Sequence, residues 1–178
     1  MSAGRPEAWL RGPVEGIDPW LQPVAHALVQ AGEELELAVA GLGVEELWAR
    51  PGGVASIGFH LRHVAGSIDR LLTYAEGGQL DEAQREALRR EGDPGEPPAE
   101  AAALLRDAVA TTRRVLEVLR RTDPATLLDP REVGRARLPS TKLGLLFHIA
   151  EHTARHVGQI VTTAKLVRSR VGIASENA

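Results

Sequence analysis

Residues 148–160 read HIAEHTARHVGQI, a stretch in which apolar residues and three histidines recur at helical spacing. An α-helix advances about 100° per residue, so residues four apart project from nearly the same face. Ile149 and Ile160 therefore share one stripe with His152 and His156, and such a stripe predicts a helix packed against a core. An imidazole that points into a core is costly unless something satisfies its polar atoms.

Three further segments outside this stretch show the same periodicity. The four predicted long helices run from Asp18 to Gly41 or Gly43, from Ser56 to Glu76, from about Ala99 to Arg121, and from Ser140 or Thr141 to about Gly172. Asp18 before Pro19, and Ser56 before an apolar run, are typical helix-capping residues. Apolar and polar residues do not alternate over strand length. The sequence therefore predicts an all-α fold, a four-helix bundle with short additional helices.

Shorter elements connect the predicted helices. One helical turn is predicted at Val44–Trp48 and a short exposed helix at Asp81–Arg90. The stretch Thr122–Pro139, with three prolines, predicts a long irregular connection, the one place where a small strand pair would fit. The predicted organisation is an N-terminal extension (1–17), a single bundle domain (18–172) and a frayed tail (173–178).

Composition limits the possible functions. The chain has 178 residues, a net charge of −3 and no cysteine. The charge argues against binding to nucleic acid or to an anionic membrane. The absence of cysteine excludes disulfides, thiolate zinc sites and cysteine nucleophiles. Met1–Gly16 lacks the apolar core of a signal peptide and no apolar run reaches membrane-spanning length, so we expect a cytoplasmic protein.

The histidines predict a metal site. His152 and His156 are spaced to bind one ion, as paired histidines do in helical zinc sites. His63, on the inward face of the second long helix, is the best candidate for a third ligand. Three imidazoles with open positions resemble a catalytic metal site. The ion would be divalent, and zinc, nickel and iron all suit imidazole ligands. The alternative is that these histidines are hydrogen-bonded core residues.

Other residues are predicted to support the site. His60 could reach the same site as His63. His148 lies four residues before His152 and so continues the row of histidines on one face of the fourth helix. Three successive turns span about 12 Å, too far for three ligands of one ion. His60 and His148 are therefore predicted to contact the ligands or line a pocket, as is Gln159. His26 stands apart and is predicted to be a hydrogen-bonded core residue.

Two motifs together resemble a known family. They are SIGFHLRHVAGSIDRLLTYAEG (Ser56–Gly77) and HIAEHTARHVGQI (His148–Ile160), and the resemblance to the DinB/YfiT-like superfamily extends from about Asp18 to Lys165. It implies a four-helix bundle with a metal centre formed by His63, His152 and His156, and homodimers are common among such proteins. Some members are transferases or isomerases that use low-molecular-weight thiols.

Two functions follow as hypotheses. The first is a metal-dependent enzyme, a thiol S-transferase or a hydrolase, in which the ion activates a thiol or a water. The second is a non-catalytic, metal-stabilised dimeric bundle that acts in a stress response or in binding. The lack of an evident general acid or base other than histidine motivates the second hypothesis.

Overall fold

The structure is a computed structural model that describes the backbone of residues 5–176 and the side chains of residues 5–169. Its helices are α1 (Gln22–Val39), α2 (Val44–Trp48), α3 (Ile57–Ala75), α4 (Glu82–Arg89), α5 (Ala101–Arg121) and α6 (Lys142–Glu176). The predicted short helices at residues 44–48 and 81–90 are confirmed, and the second is one residue shorter at each end than predicted. No helix in the described part of the chain is long and apolar enough to cross a membrane.

The four long helices α1, α3, α5 and α6 form the bundle. Both α1 and α3 pack against α5 and against α6. Their inward faces carry the fully buried side chains predicted by the periodicity, including Leu28, Leu61, Val64, Val115, Ile149 and Ile160. The predicted all-α four-helix bundle is therefore confirmed.

Side-chain caps fix where two of the long helices begin. Ser56 Oγ accepts a hydrogen bond from the backbone N–H of Phe59 (3.1 Å), and Thr141 Oγ1 accepts one from Gly144 (3.0 Å). These bonds satisfy amide groups that have no partner within the helix itself. Asp18 accepts from Trp20, but the turn that follows is a 3₁₀ helix and α1 begins only at Gln22.

The connection before α6 is more regular than expected. Strands β1 (Pro130–Val133) and β2 (Leu138–Thr141) pair antiparallel, so the prediction of little regular structure across Thr122–Pro139 was wrong. Gly134 supplies a positive φ of 69° at the turn. The strands are only four residues long, too short for alternation to be visible in the sequence. Because β2 runs directly into α6, the hairpin fixes the start of the helix that carries three histidines.

The chain ends differ in detail from the prediction. Helix α6 continues to Glu176, past its expected end near Gly172. Residues 177 and 178 of the predicted tail lie outside the described part of the chain, as do residues 1–4 of the extension. The rest of the extension lies along α1, where the Ala8 N–H donates to Gln30 Oε1 (2.9 Å) and Arg11 pairs with Glu33 (2.8 Å).

Candidate metal centre

Packing of α3 against α6 brings the predicted ligands together. His63 comes from α3, and His152 and His156 come from successive turns of α6. Each offers one ligand nitrogen, and the three nitrogens lie within 4.8 Å of one another. Leu61 on α3 and Ile149 on α6 are fully buried and belong to the same hydrophobic core.

The spacing of the nitrogens suits a single small ion. His63 Nε2 lies 2.9 Å from His152 Nε2. Two nitrogens bound to one ion at about 2.1 Å, with an angle of 90° to 110° between the bonds, would lie about 3.0 to 3.4 Å apart. The His156 ring centroid is 4.4 Å from that of His63 and 4.6 Å from that of His152. A donor set of three imidazoles fits zinc, nickel or iron(II).

The site is neither sealed nor fully open. The side chain of His63 retains 18% of its exposure, and His152 and His156 are also partly buried. Phe59 stacks on His63 with ring planes 16° apart and covers one side of it. Solvent can therefore reach the cluster, as an ion with exchangeable positions would require.

His60 contacts one of the three predicted ligands. It is buried (6% exposed), and its Nδ1 lies 3.0 Å from His156 Nδ1. A hydrogen bond between two imidazole nitrogens needs one hydrogen and one lone pair. If His156 donates, its Nε2 keeps a lone pair for a metal and His60 acts as acceptor.

The remaining predicted site residues lie further out. His148 is exposed, and its Nδ1 is 2.6 Å from Glu151 Oε1, although its ring centroid is only 5.3 Å from that of His152. Gln159 is exposed and makes no side-chain hydrogen bond with another described residue. His26 lies apart from the cluster, half-buried on α1, with Nε2 2.9 Å from the Gly12 carbonyl.

The surroundings favour neutral imidazoles. Burial, followed by the charges of His63, His152 and His60, lowers the pKa of His156 to about 4. Burial and the charge of His63 also lower the pKa values of His60 and His152. One ring nitrogen of each of these residues therefore keeps its lone pair at neutral pH, as metal binding requires. The Nδ1 atom of His152 is buried without a hydrogen-bond partner among the described residues.

Sequence reasoning missed the carboxylate beside the site. Glu91, just after α4, is 5% exposed, and its Oε2 lies 2.7 Å from His63 Nδ1. Arg70 Nη1 lies 2.8 Å from the other oxygen, Oε1. Burial alone would raise the pKa of Glu91, but the His63 hydrogen bond and the Arg70 charge outweigh it and the net shift is downward. Metal-binding histidines usually donate their other ring N–H to a carboxylate, a backbone carbonyl or a water. No spacing pattern in the sequence pointed to residue 91 as that partner.

The fold and the site define a helical-bundle protein with a three-histidine candidate metal centre between two of its helices. A comparison with protein families matches residues 27–160 to the DinB superfamily. The match covers most of the chain, and the chain therefore belongs to the DinB superfamily. A search of the curated proteins gave no match.

Acid should destabilise the metal-free protein. The pKa values of His60, His152 and His156 are lower in the folded state than the ordinary 6.5. The unfolded chain therefore binds more protons, and stability present above pH 6.5 should be lost as the pH falls towards about 4. Urea unfolding of chelator-treated protein from pH 7.5 to 5 measures this loss. A flat profile would contradict it, and His156→Gln should show a shallower slope than wild type.

Proposed function

We propose that this DinB-superfamily protein is a metal-dependent enzyme that transfers a low-molecular-weight thiol to an electrophile. The observation that carries the proposal is the convergence of three ligand nitrogens within 4.8 Å at a site that solvent reaches. A purely structural ion is usually enclosed by four protein ligands, whereas three histidines leave positions for a reactant.

The residues of the chain have definite tasks in this proposal. His63, His152 and His156 would hold the ion, and Phe59 limits access from one side of His63. When bound, the ion supplies positive charge that lowers the pKa of a thiol brought to it. The thiol proton leaves to solvent, the sulfur forms a bond to an electrophilic carbon, and the leaving group departs with the electron pair of the broken bond.

Hydrolysis is the second version of the enzyme proposal. The same three histidines could support activation of a water for attack on an ester or amide. The two versions share the metal site and differ only in the nucleophile.

Activity assays on defined metal forms test the proposal. Protein loaded with zinc, nickel or iron(II) would be assayed with cysteine, glutathione or 2-mercaptoethanol and 1-chloro-2,4-dinitrobenzene, and separately with ester and amide substrates. We expect thiol transfer by wild type and a loss of at least 100-fold in His152→Ala, because the variant lacks one ligand of the ion. Equal rates in both proteins, or no turnover with metal bound, would contradict the enzyme proposal.

The alternative is a non-catalytic, metal-stabilised bundle. It is favoured by the burial of His60 and Glu91 against the cluster, which links the site to the core. In this alternative the protein turns over no substrate, and chelation changes only its stability. We also propose a homodimer, to be tested by sedimentation of the full chain. A monomer at all concentrations would contradict the proposed homodimer.

A further inference from the structure

Glu91 is a buried carboxylate held from two sides. Its oxygens face His63 Nδ1 (2.7 Å) and Arg70 Nη1 (2.8 Å), and the Glu91 and Arg70 side chains keep only 6% and 10% of their exposure. Burying an ionised carboxylate is costly unless it is paired and hydrogen-bonded. Glu91 meets both conditions, because Oε2 accepts a hydrogen bond from His63, a predicted metal ligand, and Oε1 forms an ion pair with Arg70. The Arg70 contact lacks hydrogen-bond geometry, so Oε1 has no hydrogen-bond partner among the described residues.

The backbone of α3 makes room for this arrangement. A Cβ atom on Gly66 would lie 2.7 Å from Arg70 Nη1 and 2.8 Å from Glu91 Oε1. Both distances are shorter than van der Waals contact allows. Glycine in the middle of a helix is unfavourable by about 1 kcal/mol relative to alanine. The Arg70–Glu91 salt bridge can lie against α3 because residue 66 has no side chain.

The hydrogen bond to Glu91 determines which His63 nitrogen is free. A carboxylate accepts and does not donate, so Nδ1 of His63 carries the hydrogen. In the neutral ring, Nε2 then keeps its lone pair, and Nε2 is the atom 2.9 Å from His152 Nε2. The same contact orients the ring towards the other two predicted ligands.

We propose that Glu91, held in place by Arg70 and by the space at Gly66, is a positioning residue that presents His63 Nε2 to a divalent metal ion. Arg70 keeps the carboxylate oriented and Glu91 keeps the His63 ring oriented. This inference rests on the metal site of the proposed function but not on the proposed reaction.

Metal affinity of the Glu91→Gln variant tests the proposal. Glutamine keeps the shape of the side chain but loses the charge and can turn its amide towards His63. Removing such partners of metal-bound histidines typically weakens binding by about 10- to 100-fold. We expect at least a tenfold increase in the zinc Kd, measured by competition with a chromophoric chelator. Glu151→Gln is the matched control, since Glu151 also contacts a histidine and an arginine but its histidine, His148, is outside the triad.

A second variant disturbs the contact between Arg70 and Glu91 while leaving both charged residues unchanged. Gly66→Ala should displace the salt bridge and raise the zinc Kd, whereas Gly32→Ala on α1 has open space at the Cβ position and should leave it unchanged. Each variant would also be unfolded in urea without metal, and Kd values would be compared only where all proteins are folded. The visible spectrum of the cobalt(II) forms should change in Glu91→Gln and not in Glu151→Gln.

The outcomes separate the two proposals. Tight zinc binding by wild type with an unchanged Kd in Glu91→Gln and Gly66→Ala would overturn the role of Glu91 and leave the metal site intact. Failure of wild type to bind zinc or cobalt would overturn both. Weaker binding in Glu91→Gln and Gly66→Ala, with wild-type affinity in both controls, is the result we expect.

Discussion

Chelation of the bound metal is expected to lower the free energy of unfolding by about 4 kcal/mol, relative to protein with free ion at a thousand times its Kd. The ion would join α3 to α6 through His63, His152 and His156. The unfolded chain does not hold these residues together. Urea unfolding with zinc and with excess chelator measures the difference.

The His152→Ala variant is the control for this experiment. Without one of the three ligands it should unfold at nearly the same urea concentration with or without zinc. Wild-type protein whose stability does not respond to zinc or chelator would contradict the metal site. A metal-dependent change of the same size in His152→Ala would show that the ion acts elsewhere on the chain.

Replacing Arg70 by methionine is expected to destabilise the metal-free protein by about 3 kcal/mol. Removing one partner of a buried ion pair leaves the other charge uncompensated, and such changes typically cost about 3 to 5 kcal/mol. The lower figure is expected here because His63 still donates to Glu91. Urea unfolding of chelator-treated protein at pH 7.5 gives the value.

Two further variants identify the cause of this loss of stability. The double variant Arg70→Met/Glu91→Gln removes both charges and should recover part of the stability lost in the single variant. Arg114→Met breaks an exposed pair with Asp69 and should cost at most about 1 kcal/mol. If Arg70→Met lowers the free energy of unfolding no more than Arg114→Met does, the buried Arg70–Glu91 salt bridge does not stabilise the fold as expected.

The bundle could be predicted because its signals are local. Apolar spacing and capping residues such as Ser56 and Thr141 mark the helices within a few positions. The pairing of His152 and His156 follows from helical geometry alone. His63 could be added because it lies on an inward face of the second long helix, which places it near α6 in a bundle.

The exact partners of the residues around the site could not be predicted, because they depend on how helices and loops pack against the core. Glu91 is 28 residues from His63 and follows a short helix that looked fully exposed. His60 is expected from the sequence to contact a ligand or line a pocket, but that its partner is His156 depends on the rotation of α3 relative to α6, which spacing does not specify. The β1–β2 hairpin was missed because its strands are only four residues long, too short for apolar and polar residues to show an alternating pattern in the sequence.

The most direct test of the central claim is elemental analysis of the purified, untagged protein. Wild type would be compared with His63→Ala, His152→Ala and His156→Ala, each after reconstitution with zinc, nickel and iron(II) and removal of loose ion. We predict about one ion per chain in wild type and a large loss of it in all three variants. Wild type without metal, or variants that retain it, would contradict a centre formed by these three histidines.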